Sequence, residues 1–218
     1  MIRNRNIRLI YQSVYCALAA VGFLAQLGVF SGVMNRSYLV YYTNLSNLLC
    51  MLFGVCSLVQ TIREKEDGYC SFAPGLKFVF LIMISVTFIL YNGLLANYPS
   101  VLAYFSSLKN GLNHCILPIL FVLEWVLFYK RGGTKLTYPL LSVGPPFAYV
   151  AYILTRAAIL DATGKKVAVV YPYYFLNLPN LGWGGFLRWM GVLLFAFLAL
   201  GYALCLLDHR PWKKAGCR

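Results

Sequence analysis

Residues 75–97 read GLKFVFLIMISVTFILYNGLLAN, an apolar run with a single charge, Lys77, close to its start. Crossing the hydrocarbon core of a bilayer takes about 20 consecutive, mostly apolar residues, and this run supplies them. Working outward, five further segments have the same character: 9–33, 38–62, 109–129, 137–160 and 186–207. Together they hold most of the chain, which therefore reads as one all-α integral-membrane domain, 1–218, a bundle of six transmembrane helices. No linker or low-complexity run marks a second domain, and no internal repeat supports an inverted-repeat transporter. The first span follows Arg3, Arg5 and Arg8 as a signal peptide would. Its length exceeds the roughly 7–15 residues of a cleavable hydrophobic region, so it reads as a retained span.

Composition agrees. The chain is 61% hydrophobic and 11% charged, against roughly 25% charged in a soluble domain, which excludes disorder and an ordinary water-soluble core. Seventeen tyrosines and fifteen phenylalanines suit a protein with two lipid–water interfaces. The net charge of +13 resolves into orientation. Thirteen basic residues fall on one side of the spans: Arg3, Arg5, Arg8, Arg63, Lys65, Lys77, Lys130, Arg131, Lys135, Arg210, Lys213, Lys214 and Arg218. Five fall on the other (Arg36, Lys109, Lys165, Lys166, Arg188), and Arg156 lies inside the fifth span. Basic loops stay cytoplasmic, so both termini are expected inside, and nucleic acid is not expected as a partner.

Seven cysteines offer no disulfide framework: five lie in spans, and Cys70 and Cys217 fall on the cytoplasmic side. With two histidines and no CxxC pair, a metal has little to bind, and the Walker and dinucleotide glycine fingerprints are absent. No cofactor is expected.

In so apolar a chain the polar exceptions carry the information. On the second span Thr43, Ser46, Asn47, Cys50, Gly54 and Ser57 fall on one helical stripe. That stripe faces protein, either as a packing seam with interhelical hydrogen bonds or as a site. The fourth span contains Asn110, Asn113 and His114, followed by Pro118. Proline has no N–H for the carbonyl of His114 and is expected to kink the helix there. His114 is then either a base in a cavity or a neutral imidazole satisfied by a carbonyl. At 1.5 Å per residue, Thr43 and His114 both lie roughly 7–8 Å below the outer boundary. Asn92 and Arg156 stand at similar depth. Glu124 lies about 15 Å further along than His114, too far to orient it, and reads as a structural or inner-cavity partner for a base from the cytoplasmic side.

The stretch 161–185, with Tyr171-Pro172-Tyr173 and Leu178-Pro179-Asn180-Leu181-Gly182, is too apolar for a free aqueous loop and too broken by Pro and Gly for a helix. It is expected to lie across the outer interface as a lid and anchor. Tyr138, Ser142, Tyr149, Tyr152 and Arg156 share a face of span five, which Pro145-Pro146 is expected to bend midway. Arg156 suits bidentate capture of a carboxylate or phosphate, and equally snorkelling to the interface.

Tyr42-Thr43 with Ser46-Asn47-Leu48-Leu49, His114 with Leu117-Pro118, and Tyr171-Pro172-Tyr173 with Phe175-Leu176 together resemble the androgen-induced-protein family of integral-membrane hydrolases. The chain looks closest to that family's bacterial six-span relatives, the Pr-six-Pr proteins. The resemblance implies a threonine hydrolase acting on fatty acid esters of hydroxy fatty acids, with Thr43 as nucleophile and His114 as its base. It also implies a bacterial plasma membrane. Animal members carry neighbouring histidines where this chain has His114 alone.

The chemistry is coherent. An alcohol becomes a useful nucleophile when an adjacent base takes its proton, and an acyl-enzyme divides the hydrolysis into two easier steps. Asn47 and Asn92 are candidate oxyanion donors, and Asn110 or Asn113 a candidate holder of the imidazole. Ser46, Tyr152, Arg156, Tyr171 and Tyr173 are candidate contacts to a lipid ester. Two other classes fit the same residues: a non-enzymatic binding or transport protein for lipid or small solute, and a structural scaffold whose polar layer only packs helices.

Overall fold

The computed structural model describes residues 1–210, and within them six helices are long and apolar enough to cross a membrane. They are α1 (Arg5–Leu27), α2 (Tyr42–Arg63), α3 (Pro74–Leu95), α4 (Leu108–Phe128), α5 (Tyr138–Thr163) and α6 (Leu178–His209). No strand occurs among the described residues. Lys213, Lys214, Cys217 and Arg218, assigned above to the cytoplasmic side, lie outside them.

Local chemistry sets the helix ends. Asn4 caps α1 by accepting the Ile7 N–H at 3.0 Å, and Gly28 ends it with φ 88°. A Cβ at Gly28 would collide with the Val33 carbonyl, so only glycine makes this turn and the helix stops short of residue 33. At α6 the expectation of a non-helical 178–185 is overturned. The Asn177 side chain accepts the Asn180 N–H at 3.3 Å, and Pro179 sits in the first turn, where a missing N–H costs no helical bond. Gly182 (φ 63°, ψ 170°) then breaks the helix before it continues to His209. The bend in α5 also moves. A short segment, Tyr138–Leu141, precedes a turn, and Gly144–Thr163 begins with Pro145 and Pro146 in its first turn. The prolines therefore start that helix rather than bend its middle.

The centre of the bundle is α3, packed by α2, α4 and α6, with Phe78, Leu81, Ile82, Met83 and Ile84 fully buried. Phe53 packs its ring against Phe72, Phe80 and Phe121. Gly54 lets α1 close on α2, since a Cβ there would stand 2.6 Å from the Tyr15 ring. The exterior is apolar: Ile10, Leu52, Ile62, Phe195 and Leu206 are all exposed. Polar groups turn inward instead, as a lipid environment requires.

Lys77 illustrates this and refines the sequence reading, which counted it among the basic residues at one side of the spans. Because α3 begins at Pro74, Lys77 falls in its first turn and is fully buried. Its Nζ lies 2.6 Å from Glu124 Oε2 and 3.2 Å from the centroid of the Phe121 ring. Gln12 Nε2 donates to Glu124 Oε1 at 2.8 Å and to Ser57 Oγ at 2.9 Å. One network thus ties α1, α2, α3 and α4 together.

One end of the bundle gathers the N-terminus, residues 64–73, residues 129–137 and Asp208. Contacts across it include Ile2 N–H to the Leu127 carbonyl (2.8 Å), Gly132 N–H to the Asp208 carbonyl (3.2 Å), and the Arg8–Glu64 and Arg131–Asp208 ion pairs. The opposite end carries residues 28–41, 96–107 and 164–177. There a second apolar cluster (Val40, Tyr149, Ile153, Phe175, Leu176, Phe186) joins α5, the last of these loops and α6. The body of α5 approaches the 3₁₀ turn Tyr174–Leu176 more closely than it does α3 or α6, whereas its first segment, Tyr138–Leu141, packs on both. Space is left between.

Candidate functional site

That space is a cavity of about 90 Å³ lined by parts of α2, α3, α5, the 164–177 loop and α6. Its wall is almost wholly apolar, with Leu90, Phe147, Val150, Met190 and Phe197 among the lining side chains. Thr43, Thr87, Tyr42, Tyr91, Tyr149 and Tyr173 are the hydroxyl-bearing residues among those that line it. A second space of about 310 Å³ lies between α2 and α5, sharing Tyr42 and Tyr149 as walls and including Ser46 and the half-exposed Tyr152.

Thr43 occupies the first turn of α2 and is buried. Its carbonyl accepts from Ser46 Oγ (3.0 Å) and Asn47 Nδ2 (2.9 Å), which holds the turn firmly. Asn47 Nδ2 also donates to the Asn113 carbonyl at 3.0 Å. One amide group therefore joins the turn bearing Thr43 to the turn bearing His114. Ser46 Oγ lies 3.2 Å from Thr87 Oγ1, which donates to the Met83 carbonyl at 2.9 Å.

His114 sits in a π-helical turn, Leu112–Ile116, directly before Pro118. The missing proline N–H opens the backbone as expected, and Asn92 Nδ2 takes the His114 carbonyl at 3.0 Å while also donating to the Phe88 carbonyl at 2.8 Å. The buried His114 ring stacks on Tyr91, centroids 3.4 Å apart and planes 4° from parallel, and its Nδ1 is buried without a hydrogen-bond partner. Tyr91 itself opens a second π-turn, Tyr91–Leu95. Such turns occur frequently at functional sites.

The structure thus links Thr43, Asn92 and His114 through backbone carbonyls. Thr43 and His114 make no hydrogen bond to each other, and Tyr91, not His114, lies on the cavity wall. The remaining expectations are met differently. Asn110 donates to the Tyr98 hydroxyl, and Asn113 to the carbonyls of Gly22 and Lys109, both at 3.0 Å, so neither holds the imidazole. The reason is that Asn113 faces α1 across the close approach at Gly22, while Asn110 faces the 96–107 loop. Asn47 and Asn92 commit their amide groups to carbonyls, which leaves neither as a ready oxyanion donor. Arg156 turns to the 164–177 loop and donates to the Val169 (2.9 Å) and Val170 (3.0 Å) carbonyls, clamping the segment that leads to Tyr171 and Tyr173.

Sequence reasoning missed three of the hydroxyl-bearing wall residues. Thr87 and Tyr91 lie on α3, the helix whose apolar run hides its few polar positions, and Tyr42 drew notice only as a neighbour of Thr43. The Tyr42 hydroxyl is buried without a partner, while that of Tyr149 donates to the Val40 carbonyl at 2.7 Å. Among the described residues no group of three His, Cys, Asp or Glu side chains is placed to hold a metal. The chain matches no protein-family model, no curated protein and no solved structure.

Proposed function

We propose that this protein is an intramembrane lipid-ester hydrolase with Thr43 as nucleophile and His114 as base, the activity implied by its resemblance to the androgen-induced-protein family. One observation carries the reading: Thr43 lines an apolar cavity, in a turn hydrogen-bonded through Asn47 to the turn of the bundle's buried histidine. The apolar wall takes the acyl chain. Thr43 Oγ attacks the ester carbonyl, His114 receives its proton and returns it to the leaving alkoxide, and water then hydrolyses the acyl-threonine. For His114 to reach Oγ, the Tyr91 ring moves off the imidazole, a change that two adjacent π-turns accommodate. In this reading both termini face the cytoplasm of a bacterial plasma membrane, and the cavity lies in the outer leaflet. Fatty acid esters of hydroxy fatty acids are the substrates to try first.

The test uses purified protein and long-chain esters. Thr43→Ala and His114→Ala abolish turnover with folding intact, Thr43→Ser retains part of it, and mass spectrometry finds an acyl adduct on Thr43. Full activity in Thr43→Ala overturns the assignment.

A second reading is favoured by the absence of His114 from the cavity wall: a lipid-binding protein without turnover. It gives bound lipid, no acyl adduct, and an affinity unaffected by His114→Ala.

A further inference from the structure

The side-chain neighbour of the Thr43 hydroxyl is a phenol: Tyr173 Oη stands 3.5 Å from Thr43 Oγ1. Tyr173 is fixed from several directions. Its ring stacks on Phe175 (5.1 Å, 5°) and meets Tyr41 and Tyr149 edge-on. The chain just before it is held by Arg156 at Val169 and Val170. The phenol oxygen stands beside Thr43 in the first turn of α2, where a helix has donors without intrahelical partners. Burial raises the phenol above its ordinary value of 10.0, so it is a neutral donor throughout the physiological range.

From this geometry we propose that Tyr173 is the oxyanion donor of the hydrolase, a catalytic residue delivered by the outer loop. The inference rests on the hydrolase reading above. In the resting state the Tyr173 and Thr43 hydroxyls stand 3.5 Å apart and either can donate to the other. When Oγ1 bonds to the ester carbon, the C=O π pair moves onto the carbonyl oxygen. That oxygen sits one bond beyond the new C–O bond, within reach of the same phenol. Tyr173 donates a hydrogen bond to it and transfers no proton. As the alkoxide leaves, the pair returns to re-form C=O and Tyr173 swings back to Oγ1. The two asparagines expected in this role are committed to backbone carbonyls.

The experiment compares wild type and Tyr173→Phe in detergent, with p-nitrophenyl decanoate as substrate and two further ligands, decylboronic acid and decanol. Phenylalanine keeps the stacked ring and removes only the donor. Loss of one oxyanion donor lowers kcat by about 10²–10³-fold with KM little changed, because the contact forms only in the transition state. Boronate, which becomes tetrahedral on Thr43, weakens in parallel, while decanol binds as before. A kcat close to that of wild type overturns the proposal. So does equal weakening of boronate and decanol, which marks a structural role. A wild-type protein that neither turns over ester nor forms the boronate adduct fails the hydrolase reading itself, and this inference with it.

Discussion

Lys77 and Glu124 form a buried ion pair whose two members depend on each other. With Nζ 2.6 Å from the carboxylate, an aromatic face beneath the ammonium and Gln12 on the other oxygen, the charges are compensated where water is excluded. Removing one partner leaves the other charge unpaired, which costs about 3–5 kcal/mol. Lys77→Met and Glu124→Leu made singly are therefore expected to lower thermal stability sharply. The double variant is expected to recover most of the loss, because an apolar pair of similar volume replaces the ion pair at little net cost. A double-mutant cycle on melting in detergent measures this. The sequence disclosed both residues and hinted at a basic partner for Glu124. It did not disclose that the partner was Lys77, because a lysine three residues into an apolar run reads equally as loop or helix until the start at Pro74 is known.

The two π-turns are the elements on which the site depends. At Leu112–Ile116 the departure from α-helix has an identifiable cause in Pro118. Pro118→Ala restores an N–H to the helix and is expected to draw the segment toward regular α geometry, to turn His114 out of its present register relative to α2 and α3, and to lower ester turnover while stability holds or rises. Tyrosine fluorescence and kcat report the two effects. The 164–177 loop is a second element with a clear fastening. Arg156→Lys loses the planar fork that serves two carbonyls, so amide exchange across residues 169–175 should quicken and kcat should fall with Tyr173 less firmly placed. The break in regular α-helix before Pro118 was legible because proline has a local consequence. The stacking of Tyr91 on His114 was not, since it depends on the relative rotation of two helices, which no single segment encodes. The true start of α6 escaped for a similar reason: Pro179 and Gly182 both read as breakers, yet one occupies a tolerated first-turn position and the other only interrupts.

At the scale of the molecule, six apolar blocks were enough to count the helices, and basic residues were enough to suggest their direction. Residue 65 and residue 165 lie at opposite ends of the bundle, in the loops after α2 and α5. With single cysteines placed at Lys65 and Lys165 in a background lacking the native ones, a membrane-impermeant maleimide is expected to label position 165 on intact cells. Position 65 should be labelled only after permeabilisation. The opposite pattern reverses the orientation. The packing of α5 was beyond the sequence, because the gap beside it reflects contacts it does not make.

That gap has a consequence for how occupancy is counted. Leu95, Phe147 and Leu194 line the cavity and are also exposed on the outside of the bundle, so an apolar flank offers a sideways route into it. A molecule entering by this route arrives by two-dimensional diffusion, and its effective concentration is its share of the surrounding bilayer. Saturation is then a property of lipid composition: inert phospholipid mixed into the membrane competes down the rate, whereas adding buffer to the same vesicles leaves it unchanged.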